Sequence, residues 1–308
     1  MQCTEHLSDS AVSKADAMKW IAVDWGTSRL RAWLVDGANV VESASSENGM
    51  AGLAADGFEP ALLALIDPWL ESAQDVIACG MVGARQGWVE APYRTTPCPA
   101  AATDLIMAPA NDPRLRVNIA PGVSQAAPPD VMRGEETQIA GFLMDLPDFE
   151  GVVCLPGTHT KWVHVSASEI VSFRTFMTGE IFALIAEHSV LRNDIGDGWI
   201  EDGFLEAVDE AMSRPEALAS KLFSLRAESL LEGPAPNAAR SRASGLLIGM
   251  ELAAARPYWL GRDVAILGGG PQSAAYEAAL CAQGAPITTA SAEAATLRGL
   301  IALHNART

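Results

Sequence analysis

The chain has 308 residues and a formal net charge of −17, with a sequence pI near 4.6. That balance excludes the basic stripe of a nucleic-acid binder, and no run reaches the roughly 18 apolar residues of a membrane span. With 49% hydrophobic and 19% charged residues, the composition suits a globular protein with a sizeable core, in one large or two medium domains. The five cysteines are scattered and form no CxxC pair, which points to a reducing, cytoplasmic setting rather than a disulfide framework or zinc site.

Residues 1–18 are polar and lack an apolar h-region, so they read as a loose extension and not as a signal peptide. A strand is expected at 19–25, a turn, a second strand at 29–35 and a third near 38–44. A helix follows at about 58–72, with Leu62, Leu63, Ile66, Trp69 and Leu70 on one face. "DVIACGMVGA" (75–84) reads as a buried strand ending in glycines, and "RVNIAPG" (116–122) as another. The Pro-rich "SQAAPPD" (124–130) reads as a boundary.

The pattern then restarts. "RGEETQIAGFLMDL" (133–146) is a helix with acids in its first turn and Ile139, Phe142, Leu143 and Leu146 facing inward. Residues 151–176 read as three strands with two turns. Helices are expected at about 178–192, 200–213, 215–231 and 238–255. "DVAILGGG" (263–270) is a strand running into glycines, followed by a helix at 271–283, a short strand at 286–289 and a last helix at 291–304. Alternating strands and helices predict an α/β fold. The boundaries expected are an N-terminal extension (1–18), a first domain (19–127) and a second (128–308), with the last helix packing back on the first domain.

The two meanders share a detail. Asp24-Trp25-Gly26-Thr27-Ser28 and Leu155-Pro156-Gly157-Thr158-His159 each interrupt two strand-like runs, and each following strand carries a tryptophan, Trp33 or Trp162. A structural turn needs the glycine but not the hydroxyls. A strand–glycine–hydroxyl turn aims backbone N–H and side-chain O–H groups into one small concavity, which is an anion nest. Asp24 would repel a bare phosphate and makes sense beside Mg²⁺, held through water. Arg31 could add positive charge. Alternatively 24–28 is a tight hairpin turn capped by Asp24. Gly268, Gly269 and Gly270 leave room for a flat ring and ribose, or simply turn strand into helix; neither GxGxxG nor GxxxxGK[ST] is present.

Taken together, "DWGTSRLRAW", "CGMVGARQGWVEAPYRTTPCP", "RGEETQIAGF", "LPGTHTKW", "FMTGEIFALI" and "ILGGG" resemble, in order and over about residues 20–300, the 2-dehydro-3-deoxygalactonokinase family. That family lies within the acetate and sugar kinase, heat-shock chaperone and actin superfamily. The resemblance implies a two-domain actin-like ATPase (ribonuclease H-like) fold with a central nucleotide cleft. It also implies ATP-dependent phosphorylation of the 6-hydroxyl of 2-dehydro-3-deoxy-D-galactonate, with Mg²⁺.

Residue by residue, Asp24, Gly26, Thr27, Ser28 and Arg31 match the first phosphate motif, with Asp24 as the metal residue. Gly157, Thr158 and His159 match the second motif, and Gly268, Gly269 and Gly270 the adenosine motif. Glu135 falls on the general-base position, in place of the usual Asp, with Glu136 and Asp24 as competitors. Arg85, Gln86 and Trp88 fall on the sugar-contacting segment, where an arginine suits a carboxylate. Lys161 and Arg174 are expected as structural or rim charges. A homodimer is the assembly suggested by such kinases. Rival readings are a kinase for the epimer 2-dehydro-3-deoxy-D-gluconate or another sugar acid, and a non-kinase ATPase of the same fold, which would share the turns without needing Arg85.

Overall fold

The computed structural model describes residues 19–71 and 74–307; the extension expected at 1–18 lies outside them. In chain order the strands are β1 Trp20–Trp25, β2 Leu30–Asp36, β3 Asn39–Ser46, β4 Gln74–Gly80, β5 Arg94–Thr95, β6 Cys98–Pro99, β7 Ile106–Met107 and β8 Leu115–Ile119. They continue with β9 Val123–Gln125, β10 Asp130–Met132, β11 Gly151–Leu155, β12 Thr160–Ser166, β13 Glu169–Phe176, β14 Val264–Gly268 and β15 Ile287–Ser291. The helices are α1 Phe58–Ile66, α2 Glu135–Asp145, α3 Thr178–His188, α4 Glu201–Ser213, α5 Leu218–Glu232, α6 Pro236–Ala254, α7 Arg256–Trp259, α8 Gly270–Ala282 and α9 Ala292–Asn305.

Two large sheets repeat one plan. The first runs β3-β2-β1-β4-β8-β7 and the second β15-β14-β11-β12-β13-β6. In each, three antiparallel strands form a meander whose first member pairs in parallel with the next strand of the sheet, β1 with β4 and β11 with β14, and a further parallel strand follows. The short strands are not legible from periodicity because they span two or three residues each. The Pro-rich stretch turns the β9–β10 hairpin, and β6 pairs with β13 in the second sheet.

Strand alternation sorts the core onto the two faces of each sheet. In the first, Ile21, Val23, Leu34 and Val76 pack with Phe58, Leu62 and Ile66 of α1. The opposite face, with Trp20, Ala22, Val35 and Ile77, takes Leu300, Ile301 and Leu303 of α9. In the second, Val153, Leu155, Val163 and Val165 pack against Ile139, Phe142 and Leu143 of α2. Its other face, with Val152, Cys154, Trp162 and Ile266, is covered by α4, α6 and α8. Leu146, expected inward, caps α2 and is exposed. Helices α2 and α9 pack on each other and join the sheets. Their crossing is glycine-close: a methyl on Gly299 would lie 1.9 Å from the carbonyl oxygen of Thr137, and one on Gly141 1.8 Å from that of Ala295.

Candidate active site

The glycine turns sit at the C-terminal ends of β1, β4, β11 and β14, where parallel α/β sheets place their ligands. The first turn is closed by Gly26 N–H donating to the carbonyl of Arg29, at 2.8 Å. The second is braced by Gln272, whose Nε2 donates to the Gly157 carbonyl at 2.8 Å. Both turns are supported from behind in the same way. The Thr27 carbonyl accepts from Ala51 N–H and the Thr158 carbonyl from Glu180 N–H, each at 3.0 Å. Gly49 and Gly179 make these approaches possible, since a Cβ would fall 2.3 Å from the Thr27 oxygen or 2.4 Å from that of Gly157. Thr27, Ser28, Thr158 and His159 are left exposed, and the three hydroxyls make no hydrogen bond among the described residues. Nε2 of His159 lies 2.6 Å from a Glu180 carboxylate oxygen.

Between the turns runs a line of charge. Asp24 and Arg31 are cross-strand partners, and Arg31 Nη2 donates to Asp24 Oδ2 at 2.5 Å while Nη1 donates to Glu293 at the start of α9, at 3.0 Å. Burial pushes the Asp24 carboxyl above its ordinary range against the pull of Arg31, and the charge of Glu293 adds to the rise. Gly80 follows, within 3.5 Å of Asp24 Oδ1 at its Cβ position, and Gly134 lies against Gly80. Glu135 opens α2 there. One of its oxygens accepts from the Arg133 backbone N–H at 3.0 Å, and the other is 3.6 Å from Lys161 Nζ.

Lys161 stands beside Glu135 and is no rim charge. Expected among structural or rim charges, it is buried. Alternation along β12 explains this: Thr160 and Trp162 face Tyr276 and Glu251 beneath α6 and α8, so Lys161 shares the α2 face with Val163 and Val165. The adjacent Glu136 is turned away. It is 1% exposed, and its oxygens accept from Gly134 N–H and the Thr137 hydroxyl. Burial, then the charge of Glu135, pushes its carboxyl up to about 7. Of the two glutamates, only Glu135 is partly exposed and paired with a cation.

The remaining expected residues are distributed as follows. Arg85 and Gln86 are exposed on the loop after β4. Trp88 is packed inward against Trp25 and Phe58, its indole N–H donating to the Pro109 carbonyl at 3.0 Å. Gly268, Gly269 and Gly270 line a hollow of about 360 Å³ with Ser273 and Ser291. A larger cavity of about 800 Å³ adjoins it through Ala274 and reaches Thr158 and Gly179. Its walls include Trp199, Arg240, Ser244 and Gln272, none of which lies in a glycine motif.

Under this cavity lies a buried carboxyl. Glu251 is 0% exposed and accepts from Trp162 Nε1 and Tyr276 Oη, both at 2.7 Å, while Thr178 adds a further bond. Burial pushes it up to about 7. The folded chain therefore holds this proton, and that of Glu136, at pH values where the unfolded chain has released them. Stability from both groups is full in acid and falls as pH rises from the ordinary carboxylate range through about 7. Glu251→Gln mimics the protonated acid. Its oxygen accepts from Trp162 and its amide donates to Tyr276, which turns to Thr160. The variant is expected to match the parent near pH 5 and to exceed it near pH 8, by on the order of 3 kcal/mol at most. Melting temperatures at the two pH values check this; an unchanged slope would refute it.

The 2-keto-3-deoxy-galactonokinase family model matches residues 24–303. The chain belongs to this family. It is 34% identical over 299 residues to the 2-dehydro-3-deoxygalactonokinase of Escherichia coli (strain K12), covering 94% of this chain and 98% of that protein. It is similar to the crystal structure of a protein described as a 2-dehydro-3-deoxygalactonokinase from Sinorhizobium meliloti, at 38% identity and TM-score 0.88, covering 93% of this chain and 98% of that one. The xylulose kinase of Lactobacillus acidophilus matches at TM-score 0.51 and 11% identity, covering 94% and 89% of the two chains; that likeness speaks for the fold alone. The fold is the actin-like ATPase fold of sugar kinases, and a member of this family is a phosphotransferase with an alcohol acceptor. Among the described residues no helix is long and apolar enough to cross a membrane.

Proposed function

We propose that the chain transfers the γ-phosphoryl of ATP to the 6-hydroxyl of 2-dehydro-3-deoxy-D-galactonate in D-galactonate catabolism, giving ADP and the 6-phosphate. The observation that carries the reading is the Glu135–Lys161 pair, which ties the start of α2 to the strand after the second glycine-hydroxyl turn. Glu135 accepts the proton of the alcohol, whose oxygen bonds to the γ-phosphorus as the bond to the bridging oxygen of ADP breaks. Lys161, 3.6 Å away, supplies positive charge where negative charge accumulates. Thr27, Ser28, Thr158 and His159 hold phosphate oxygens. The adenosine occupies the large cavity beside Gly268, Gly269 and Gly270, with Trp199 and Arg240 on its wall. Arg85 and Gln86 stand at the rim of the sugar-acid side.

Among the described residues no three His, Cys, Asp or Glu side chains stand together as a metal cage. That fits Mg²⁺ carried on the nucleotide, with Asp24 as the protein carboxylate reached through water. Bound there, the ion would neutralise phosphate charge. The same reading sets the chain in the cytoplasm, in two domains that divide near residue 127, with the sugar acid and ATP as its small-molecule partners.

A coupled ADP-release assay tests the proposal. Turnover is expected with the galactonate-derived acid, with glucose and the sugar-free control near background. Faster turnover with the gluconate epimer would reassign the substrate. Equal ADP release without any sugar would identify an ATPase instead.

A further inference from the structure

Arg133, between β10 and α2, is a buried cation without a counter-ion. It is 9% exposed and forms no ion pair among the described residues. Its Nη2 donates to the Ala91 carbonyl at 2.8 Å. Its Nε and Nη1 are enclosed and donate to nothing. Burying an ionised group is costly unless it is paired and hydrogen-bonded, and each orphaned donor adds its own desolvation penalty. Arg94, half-buried in the same region, shares the problem only at Nε, which is enclosed without an acceptor. Arg94 spends Nη1 and Nη2 on the carbonyls of Pro99, Ala100 and Ala101.

No carboxylate among the described residues pairs with the Arg133 guanidinium, but its surroundings are arranged around the cation. The ring of Tyr93 lies over the guanidinium, with 4.3 Å from its carbon to the ring centroid, and Tyr93 is itself 40% exposed. Gly83 borders Nη1, where a Cβ would come within 3.0 Å. The loop carrying Gly83 is the one that follows β4, and its Gly83 carbonyl accepts from Ala91 N–H at 3.0 Å. The same turn that holds Arg133 carries Glu135, joined to it through the Arg133 N–H.

We propose that Arg133 is the seat of the substrate's carboxylate, an inference that rests on the kinase reading above. The acid group would reach one of the two orphaned donors, Nε or Nη1, which lie on opposite edges of the guanidinium, when the Tyr93 ring swings off it, and the six-carbon chain would then run from Arg133 toward Glu135. One turn thus holds both ends of the substrate, the anion and the reacting alcohol. Arg85, exposed and without a hydrogen bond or ion pair among the described residues, stays in water and contributes weakly. A charge-assisted pair within a closed site is worth more than the same pair in solvent.

The test compares 2-dehydro-3-deoxy-D-galactonate with its uncharged C1 carboxamide. Wild-type enzyme is expected to prefer the acid by on the order of 100-fold in kcat/KM, the range of a charge-assisted hydrogen-bonded contact. Arg133→Met should remove most of that preference, raising KM for the acid far more than KM for the carboxamide. Arg133→Lys, which keeps the charge and packs more conservatively, should restore part of it. Arg85→Met should change the preference less than about threefold. A wild-type enzyme that leaves the sugar acid unphosphorylated overturns the kinase reading. A wild-type enzyme that phosphorylates it, while Arg133→Met and Arg133→Lys discriminate like wild type, overturns the role of Arg133 alone. A loss in Arg133→Met shared equally by acid and carboxamide makes Arg133 a brace for the Ala91 loop and equally overturns it.

Discussion

Glu135→Gln is expected to lower kcat by about 10³-fold while KM for the sugar acid and for ATP stays within a few-fold, because the amide fills the same space but takes no proton. The Arg133 N–H that now reaches Glu135 Oε2 still finds an oxygen acceptor in the glutamine. Steady-state kinetics with ADP detection give the numbers. Glu136→Gln is the informative companion. Its side chain is enclosed by Gly134 and Thr137, so the substitution should show in stability more than in turnover. Were Glu136→Gln to abolish turnover with Glu135→Gln nearly wild type, the base would be the inner glutamate. Lys161→Met should lower kcat by about 10²- to 10³-fold, as loss of one group that stabilises developing charge does elsewhere. A normal rate in that variant would confine Lys161 to holding Glu135.

Gly299→Ala is expected to cost on the order of 3 kcal/mol or more and to lower the melting temperature by several degrees. The added methyl would meet the Thr137 carbonyl oxygen at 1.9 Å and the Thr137 carbonyl carbon at 2.8 Å. Both are backbone atoms of α2, so no rotamer change relieves the clash, and α9 must move off α2. Because α9 also covers the Trp20 face of the first sheet and α2 the Val153 face of the second, the loss reaches both cores. Gly52→Ala is the control. No atom lies within 4 Å of its Cβ position, and it is exposed, so its cost should stay below about 1 kcal/mol. Equal melting temperatures for the two variants would show that the helices tolerate wider spacing.

Much of the fold is legible in the residues themselves. Strand alternation at 20–36 and 151–176, broken by glycine-hydroxyl turns, is a local signal, since a two-residue period and a turn glycine depend only on near neighbours. The same holds for α2, whose acids mark its first turn. The repeated sheet order is visible only as an echo of Gly26-Thr27 in Gly157-Thr158. The short strands β5, β6, β7, β9 and β10 carry no periodicity to read. The third strand, expected to stop near 44, continues to Ser46, and the first helix stops at Ile66, where Asp67 and Pro68 begin a tighter turn.

The chemistry divides along the same line. Residue order alone picks out exposed hydroxyls in the turns, the glutamate opening α2 and the glycines after β14, because each is a local pattern of backbone freedom and polar side chains. Which charges come together is settled by packing. Lys161 turns toward Glu135 only because α2 lies on that face of β12. Nε and Nη1 of Arg133 are left without acceptors beside the Gly83–Ala91 loop, and Trp199, just before α4, and Arg240, on α6, reach the large cavity from far along the chain. A contact between residues distant in sequence is decided by which sheet face meets which helix, and no local pattern carries that information.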